Sequence, residues 1–153
     1  MAGMLGNALK AVCSNYVPVR NPLKSAEWWQ RNFGLEYAVP YNAAEAQVIL
    51  KLSDGQWLHL VQTDGPIDNQ FPSKTGYEMF RLTFEVRQIE MLYDHLRANG
   101  VQTAELKDRD SCGINFVFYD SDGNKFDVNE CVNVHRTPEE VERLKGNLFG
   151  LVR

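Results

Sequence analysis

INFVFYDSDGNKFDV, residues 114–128, reads as strand, tight turn, strand. The run Ile114–Tyr119 is apolar and aromatic, which suits a half-buried pleat. Asp122-Gly123 supplies the turn, because Gly adopts positive φ without a Cβ clash and Asp tolerates it. Alternation resumes beyond the turn: Phe126 and Val128 leave one face, Lys125 and Asp127 the other. An acidic side chain therefore leaves a strand opposite an apolar face.

The chain has 153 residues, 44% of them hydrophobic and 24% charged, which fits a globular protein. A formal charge of −4 with no Lys/Arg cluster excludes a phosphate-neutralising nucleic-acid binder. No apolar run is long enough for a membrane-spanning helix. Residues 1–13 lack an uninterrupted apolar stretch, so no secretory signal is expected and a cytoplasmic location is. The three cysteines, Cys13, Cys112 and Cys131, are odd in number and show no metal-ligand spacing. They are expected to be reduced and mostly buried.

From the N-terminus, Cys13–Val19 is a strand candidate. Asn21-Pro22 starts a helix, with Asn as cap and Pro where its missing N–H costs nothing. Ala26, Trp29 and Phe33 share one helix face, and Gly34 ends it. Strands are expected at 36–39, 45–52 and 57–62, the last two joined through Asp54-Gly55. Residues 63–76, with two Pro, two Gly and two Asp, read as an irregular linker. The pattern then restarts. Met79–Val86 alternates as a strand, and Ile89–Asn99 is a helix closed by Gly100. A short strand is expected at 101–105, followed by the polar turn 107–113 and the opening hairpin. Both halves read β-α-β-β-β. Val19-Arg20-Asn21 opens the first helix and Val86-Arg87-Gln88 the second, as a duplicated unit requires. Residues 132–153 lie outside the repeat. There Thr137-Pro138-Glu139-Glu140 is a capping box for an amphipathic C-terminal helix, docked on its own domain or on a second copy.

Two such modules, the VRN-helix-FGL segment, the RLTFEV strand and the FVFYDSDGNKFD hairpin together resemble the vicinal oxygen chelate superfamily. That group includes glyoxalase I, fosfomycin-resistance thiol transferases, extradiol dioxygenases and bleomycin-resistance proteins. The resemblance covers about residues 12–131. It implies an α+β fold: one glyoxalase-like domain over 1–153 of two β-α-β-β-β modules (about 12–63 and 78–131, linker 64–77) forming a U-shaped cleft, plus a C-terminal helix. It also implies a homodimer. In metal-dependent members, cleft-facing His, Gln or Glu hold one divalent ion.

Given that frame, alternation assigns faces. Phe80, Leu82, Phe84 and Val86 face the helices, as do Val17, Val19, Leu58 and Leu60. Ser14, Tyr16, Pro18, Trp57, His59, Val61, Arg81, Thr83 and Glu85 face the cleft. So do Asn115, Val117, Tyr119, Lys125 and Asp127. Carried over by position, the four ligand sites fall on Ser14, His59, Arg81 and Asp127. Ser is a poor ligand and Arg stays protonated. Only His59 and Asp127 keep ligand chemistry, short of the three protein ligands of a catalytic zinc site. Arg81 is expected to replace the cation and pair with Asp127. Under a slipped register, Glu85 or Glu130 would enter instead.

The favoured function is thus binding of a small organic ligand, aromatic or anionic, with no catalytic metal. Tyr16, Trp57, Thr83, Val117, Tyr119 and Ser14 would line the cleft, and Arg81 would meet a carboxylate or phosphate. One alternative is a divalent-metal-dependent lyase, thiol transferase or dioxygenase using His59 and Asp127. Another is a metal-free enzyme with His59 as general base and Arg81 stabilising an anion.

Overall fold

The computed structural model describes residues 6, 8–109, 113–130 and 138–139. The chain divides into two compact units, Met1–Pro66 and Ile67–Arg153.

The first unit runs β1 (Ser14–Val19), α1 (Pro22–Phe33), β2 (Glu36–Tyr37), β3 (Gln47–Lys51) and β4 (Trp57–Gln62), in the sheet order β1-β4-β3-β2. Helix α1 begins as its sequence requires. Asn21 stays extended, and its side chain accepts from Lys24 N at 3.1 Å. It ends where Gly34, at φ 67°, donates to Gln30 O. A non-glycine residue would be strained at that angle. The helix buries Ala26, Trp28 and Trp29, while the sheet buries Val17, Val19, Val48, Leu50, Leu58 and Leu60. Each such aliphatic or aromatic side chain contributes about 1.5–3 kcal/mol when fully withdrawn from water. β1 and β4 are parallel, because α1 carries the chain back across the sheet.

The second unit opens with a two-stranded ribbon, β5 (Gln70–Pro72) with β6 (Glu78–Phe80). Then come β7 (Thr83–Glu85), α2 (Ile89–Ala98), β8 (Lys107–Asp108), β9 (Ile114–Tyr119) and β10 (Lys125–Glu130), in the order β7-β10-β9-β8. The order repeats that of the first unit, so the duplication expected from the sequence is present in the topology. Phe116, Phe118, Phe126 and Val128 are buried on one face of this sheet. Tyr93 of α2 packs edge-on against Phe116, with centroids 5.2 Å apart. The opening hairpin forms as read, with Gly123 at φ 85° donating to Asp120 O.

Four expectations change. Residues 63–76 are not wholly irregular, since β5 lies within them. Pro72 is tolerated because β5 is half of a two-stranded ribbon and every strand there is an edge. Met79–Val86 is not one strand. It breaks at Arg81-Leu82, with β6 pairing β5 and β7 pairing β10. The strand expected at 101–105 is reduced to a bridge at Thr103, and the regular pairing falls at Lys107–Asp108 within the supposed turn. Cys13 is exposed rather than buried, because it precedes β1. Cys112, Cys131 and the C-terminal helix lie outside the described residues, apart from Pro138 and Glu139.

Candidate functional site

In the first unit the parallel register sets Ser14 opposite Trp57, Tyr16 opposite His59 and Pro18 opposite Val61. These are the residues that alternation placed together. The imidazole of His59 is flanked by Tyr16, centroids 4.7 Å apart, and by Trp57 at 5.9 Å. His59 is only 8% exposed, whereas Tyr16 is 68% and Trp57 37% exposed. The sheet therefore carries an aromatic patch with a sunken imidazole.

His59 Nδ1 lies 3.2 Å from Gln47 Oε1 on the neighbouring strand. With the carboxamide oxygen facing the ring, the contact is a hydrogen bond when Nδ1 carries the proton, and Nε2 then presents a lone pair. That Nε2 is buried and has no hydrogen-bond partner among the described residues. Burial also lowers the pKa of His59 below its ordinary 6.5, which keeps the ring neutral. Sequence reasoning missed Gln47. Its signal was present: Gln47, Ile49 and Lys51 alternate on one side of β3, and the Asp54-Gly55 turn leaves Lys51 opposite Trp57. Counting back from that turn brings Gln47 near His59.

In the second unit Asp127 is the register partner of Thr83 and of Val117, so all three leave the same face. Each carboxylate oxygen accepts one hydrogen bond: Thr83 Oγ1 donates to Oδ2 at 3.1 Å and Asn115 Nδ2 to Oδ1 at 2.9 Å. Tyr119 is the partner of Lys125 on that face. The expected Arg81–Asp127 pair does not form among the described residues. Arg81 lies at the break between β6 and β7, exposed, with Cζ 5.6 Å from the centroid of the Phe71 ring. Asn69 stands at the break. Its side chain donates to Lys125 O at 2.7 Å and accepts from Lys125 N at 2.9 Å. A buried amide thus occupies the backbone groups that a continuous strand would have paired. Glu130 does not enter a ligand set either. Its two oxygens accept from Gln88 N and Ile89 N, capping α2. Glu85 is exposed, opposite Asn129.

The donor set does not fit a catalytic divalent ion. Ser14 and Arg81 are not ligands for one, which leaves only His59 and Asp127 of the four positions, short of the three protein ligands of a catalytic zinc site. Among the described residues, no three His, Cys, Asp or Glu side chains cluster.

The profile of the Glyoxalase/Bleomycin resistance protein/Dioxygenase superfamily matches residues 10–128. The chain belongs to that superfamily. No curated protein matches it significantly. Among solved structures, TnmS3, an antibiotic binding protein from Streptomyces sp. CB03234, is 17% identical over 81% of this chain and 98% of its own, with a TM-score of 0.65. FosX, a fosfomycin resistance protein from Listeria monocytogenes solved with Mn(II) and 1S,2S-dihydroxypropylphosphonic acid, is 16% identical over 87% and 95%, TM-score 0.62. Lactoylglutathione lyase from Agrobacterium tumefaciens is 13% identical over 80% and 94%, TM-score 0.61. At these identities the likeness is one of fold. No helix among the described residues is long and apolar enough to cross a membrane.

Proposed function

We propose that the protein binds a small, flat organic ligand on the aromatic patch of its first unit and does so without a catalytic metal. The observation that carries the binding part of this reading is His59 Nε2, buried and unpartnered beside the exposed rings of Tyr16 and Trp57, and the metal-free part rests on Ser14 and Arg81 not being ligands. An orphaned buried acceptor costs about 1–3 kcal/mol, and a bound donor removes that cost. Exposed aromatic rings offer the apolar contact that ligand sites use. The fold shared with an antibiotic binding protein supports the same reading. We place the protein in the cytoplasm and read its assembly as a homodimer, to be checked by light scattering.

Metal analysis of protein purified without chelator tests the metal-free part. Substoichiometric Mn, Fe, Ni and Zn are expected. Near-stoichiometric metal that disappears in His59→Ala would overturn it. A second reading is favoured by the neutral imidazole itself: a bare Nε2 lone pair is the state a general base requires. It fails if a ligand-bound structure leaves Nε2 more than one bridging water from any ionisable ligand atom.

A further inference from the structure

We infer that Gln47 is a positioning residue that fixes the tautomer of His59, and that the site therefore selects ligands presenting a hydrogen-bond donor, such as a phenol or enol, over otherwise equal ligands that cannot donate. This rests on the binding reading above and narrows its ligand class.

Gln47 Oε1 at 3.2 Å from His59 Nδ1 consumes the one proton of the neutral ring. The ring's other nitrogen, Nε2, is then an acceptor only. It is withdrawn from solvent and unpartnered among the described residues. A ligand atom reaching it must bring a proton; an ether or a carbonyl would set lone pair against lone pair. The register makes this arrangement stiff. Gln47 pairs with Val61 and His59 with Ile49, so the two side chains leave adjacent strands on one face, held by the ladder. Access also has a local route. Tyr16 is 68% exposed, so little packing resists its rotation away from the imidazole. Flat ligands are favoured because the exposed rings of Tyr16 and Trp57 both lie next to the imidazole and offer planar apolar contact.

Two measurements on the full chain test the inference. The first needs no ligand: in the side-chain 15N spectrum at neutral pH, His59 Nδ1 should carry the proton and Nε2 should resonate as a bare nitrogen. The Gln47→Leu variant should move the proton to Nε2, while Gln47→Glu, which keeps an acceptor oxygen, should restore the wild-type pattern. A proton on Nε2 in the wild type overturns the inference. The second is titration with 1-naphthol and 1-methoxynaphthalene, which share a ring and differ in the donor. One hydrogen bond to a buried acceptor predicts a preference for the naphthol of roughly tenfold. The preference should collapse in Gln47→Leu and persist in Gln47→Glu, a pattern that a merely structural role for Gln47 would not produce. Equal binding of both probes overturns the donor requirement and leaves the binding reading standing. Failure of both to bind the wild type sinks the binding reading and the ligand class with it.

Discussion

The two units use one sheet order but differ at its centre. In each, the third residue of the last strand meets an amide from the strand beside it. His59 meets Gln47 in the first unit, and Asp127 meets Asn115 in the second. The amides act in opposite senses: Gln47 accepts and Asn115 donates. In each unit that residue also has a register partner on the first strand, Tyr16 for His59 and Thr83 for Asp127. Thr83 donates to the second carboxylate oxygen, whereas Tyr16 offers His59 only a ring face. Each polar centre leaves one buried acceptor without a hydrogen-bond partner among the described residues, His59 Nε2 in the first unit and Asn115 Oδ1 in the second. Duplicated topology preserves position without preserving chemistry.

The units differ again two residues upstream. Ser14 pairs with Trp57 in an unbroken strand, but the corresponding Arg81 does not pair with Lys125, because Asn69 takes the Lys125 backbone. The second unit thus depends on close contacts that the first lacks, and these are where it should break first. Gly113 has φ 92°, and an added Cβ would sit 2.3 Å from Glu130 O. Gly113→Ala is expected to cost about 3 kcal/mol or more, from backbone strain plus displacement of β10. Glu130 holds the start of α2, so the loss should show in helical circular dichroism as well as in urea unfolding. A change below about 1 kcal/mol would mean the approach is easily relaxed.

Asn69→Ala comes next. It leaves the Lys125 N–H and C=O without their partner, and an unsatisfied buried group costs about 1–3 kcal/mol. Denaturant unfolding should show a loss of about 2 kcal/mol, with faster amide exchange at Lys125. Unchanged exchange there would show that the strand break does not depend on Asn69. The helices supply a smaller contrast. α1 is capped by its own Asn21, α2 by Glu130 of a distant strand, while Gln88 at the N-cap makes no side-chain cap bond. Asn21→Ala should cost about 1 kcal/mol as an ordinary cap loss. Glu130→Ala should cost somewhat more, about 1–2 kcal/mol, because it removes two charge-assisted bonds and ties α2 less firmly to β10. Equal losses would remove that distinction.

How far the sequence could be read follows from the same residues. Period-2 alternation and turn chemistry are local, so the hairpin at 114–128, the Asn21 and Gly34 caps and the duplicated order were legible. So was the face shared by Tyr16, Trp57 and His59. The break at Arg81 was not, because Asn69 acts across 56 residues of chain and nothing near Arg81 signals it. The role of Glu130 was hidden for the same reason, since it caps a helix 41 residues away. Gln47 stood between these cases: its face was readable, but its partner needed the strand register. Alternation gives the side a residue faces, and long-range pairing decides what it meets there.

The pH dependence of stability offers the finest test of the contrast, because among the described residues each unit holds one shifted group and the signs oppose. His59 has its pKa lowered by burial, so the folded protein resists a proton that the unfolded chain accepts. Its contribution is complete above about 6.5 and is lost as pH falls below that. Asp120, at the start of the hairpin turn, is pushed up to about 6, chiefly by burial and against the hydrogen bonds it accepts from Asn124 and Asp122. The folded state then takes up a proton before the unfolded chain does, so this group adds stability as pH falls from about 6 toward 4. Between pH 7 and pH 5 the Asp120 contribution is about 1 kcal/mol, since one pKa unit corresponds to about 1.4 kcal/mol. Urea unfolding at both pH values should show Asp120→Asn losing more stability on acidification than the wild type does. His59→Gln should lose less. An unaltered pH dependence in Asp120→Asn would mean that its turn donors hold the carboxylate ionised in the fold, as an excess of hydrogen bonding over burial requires.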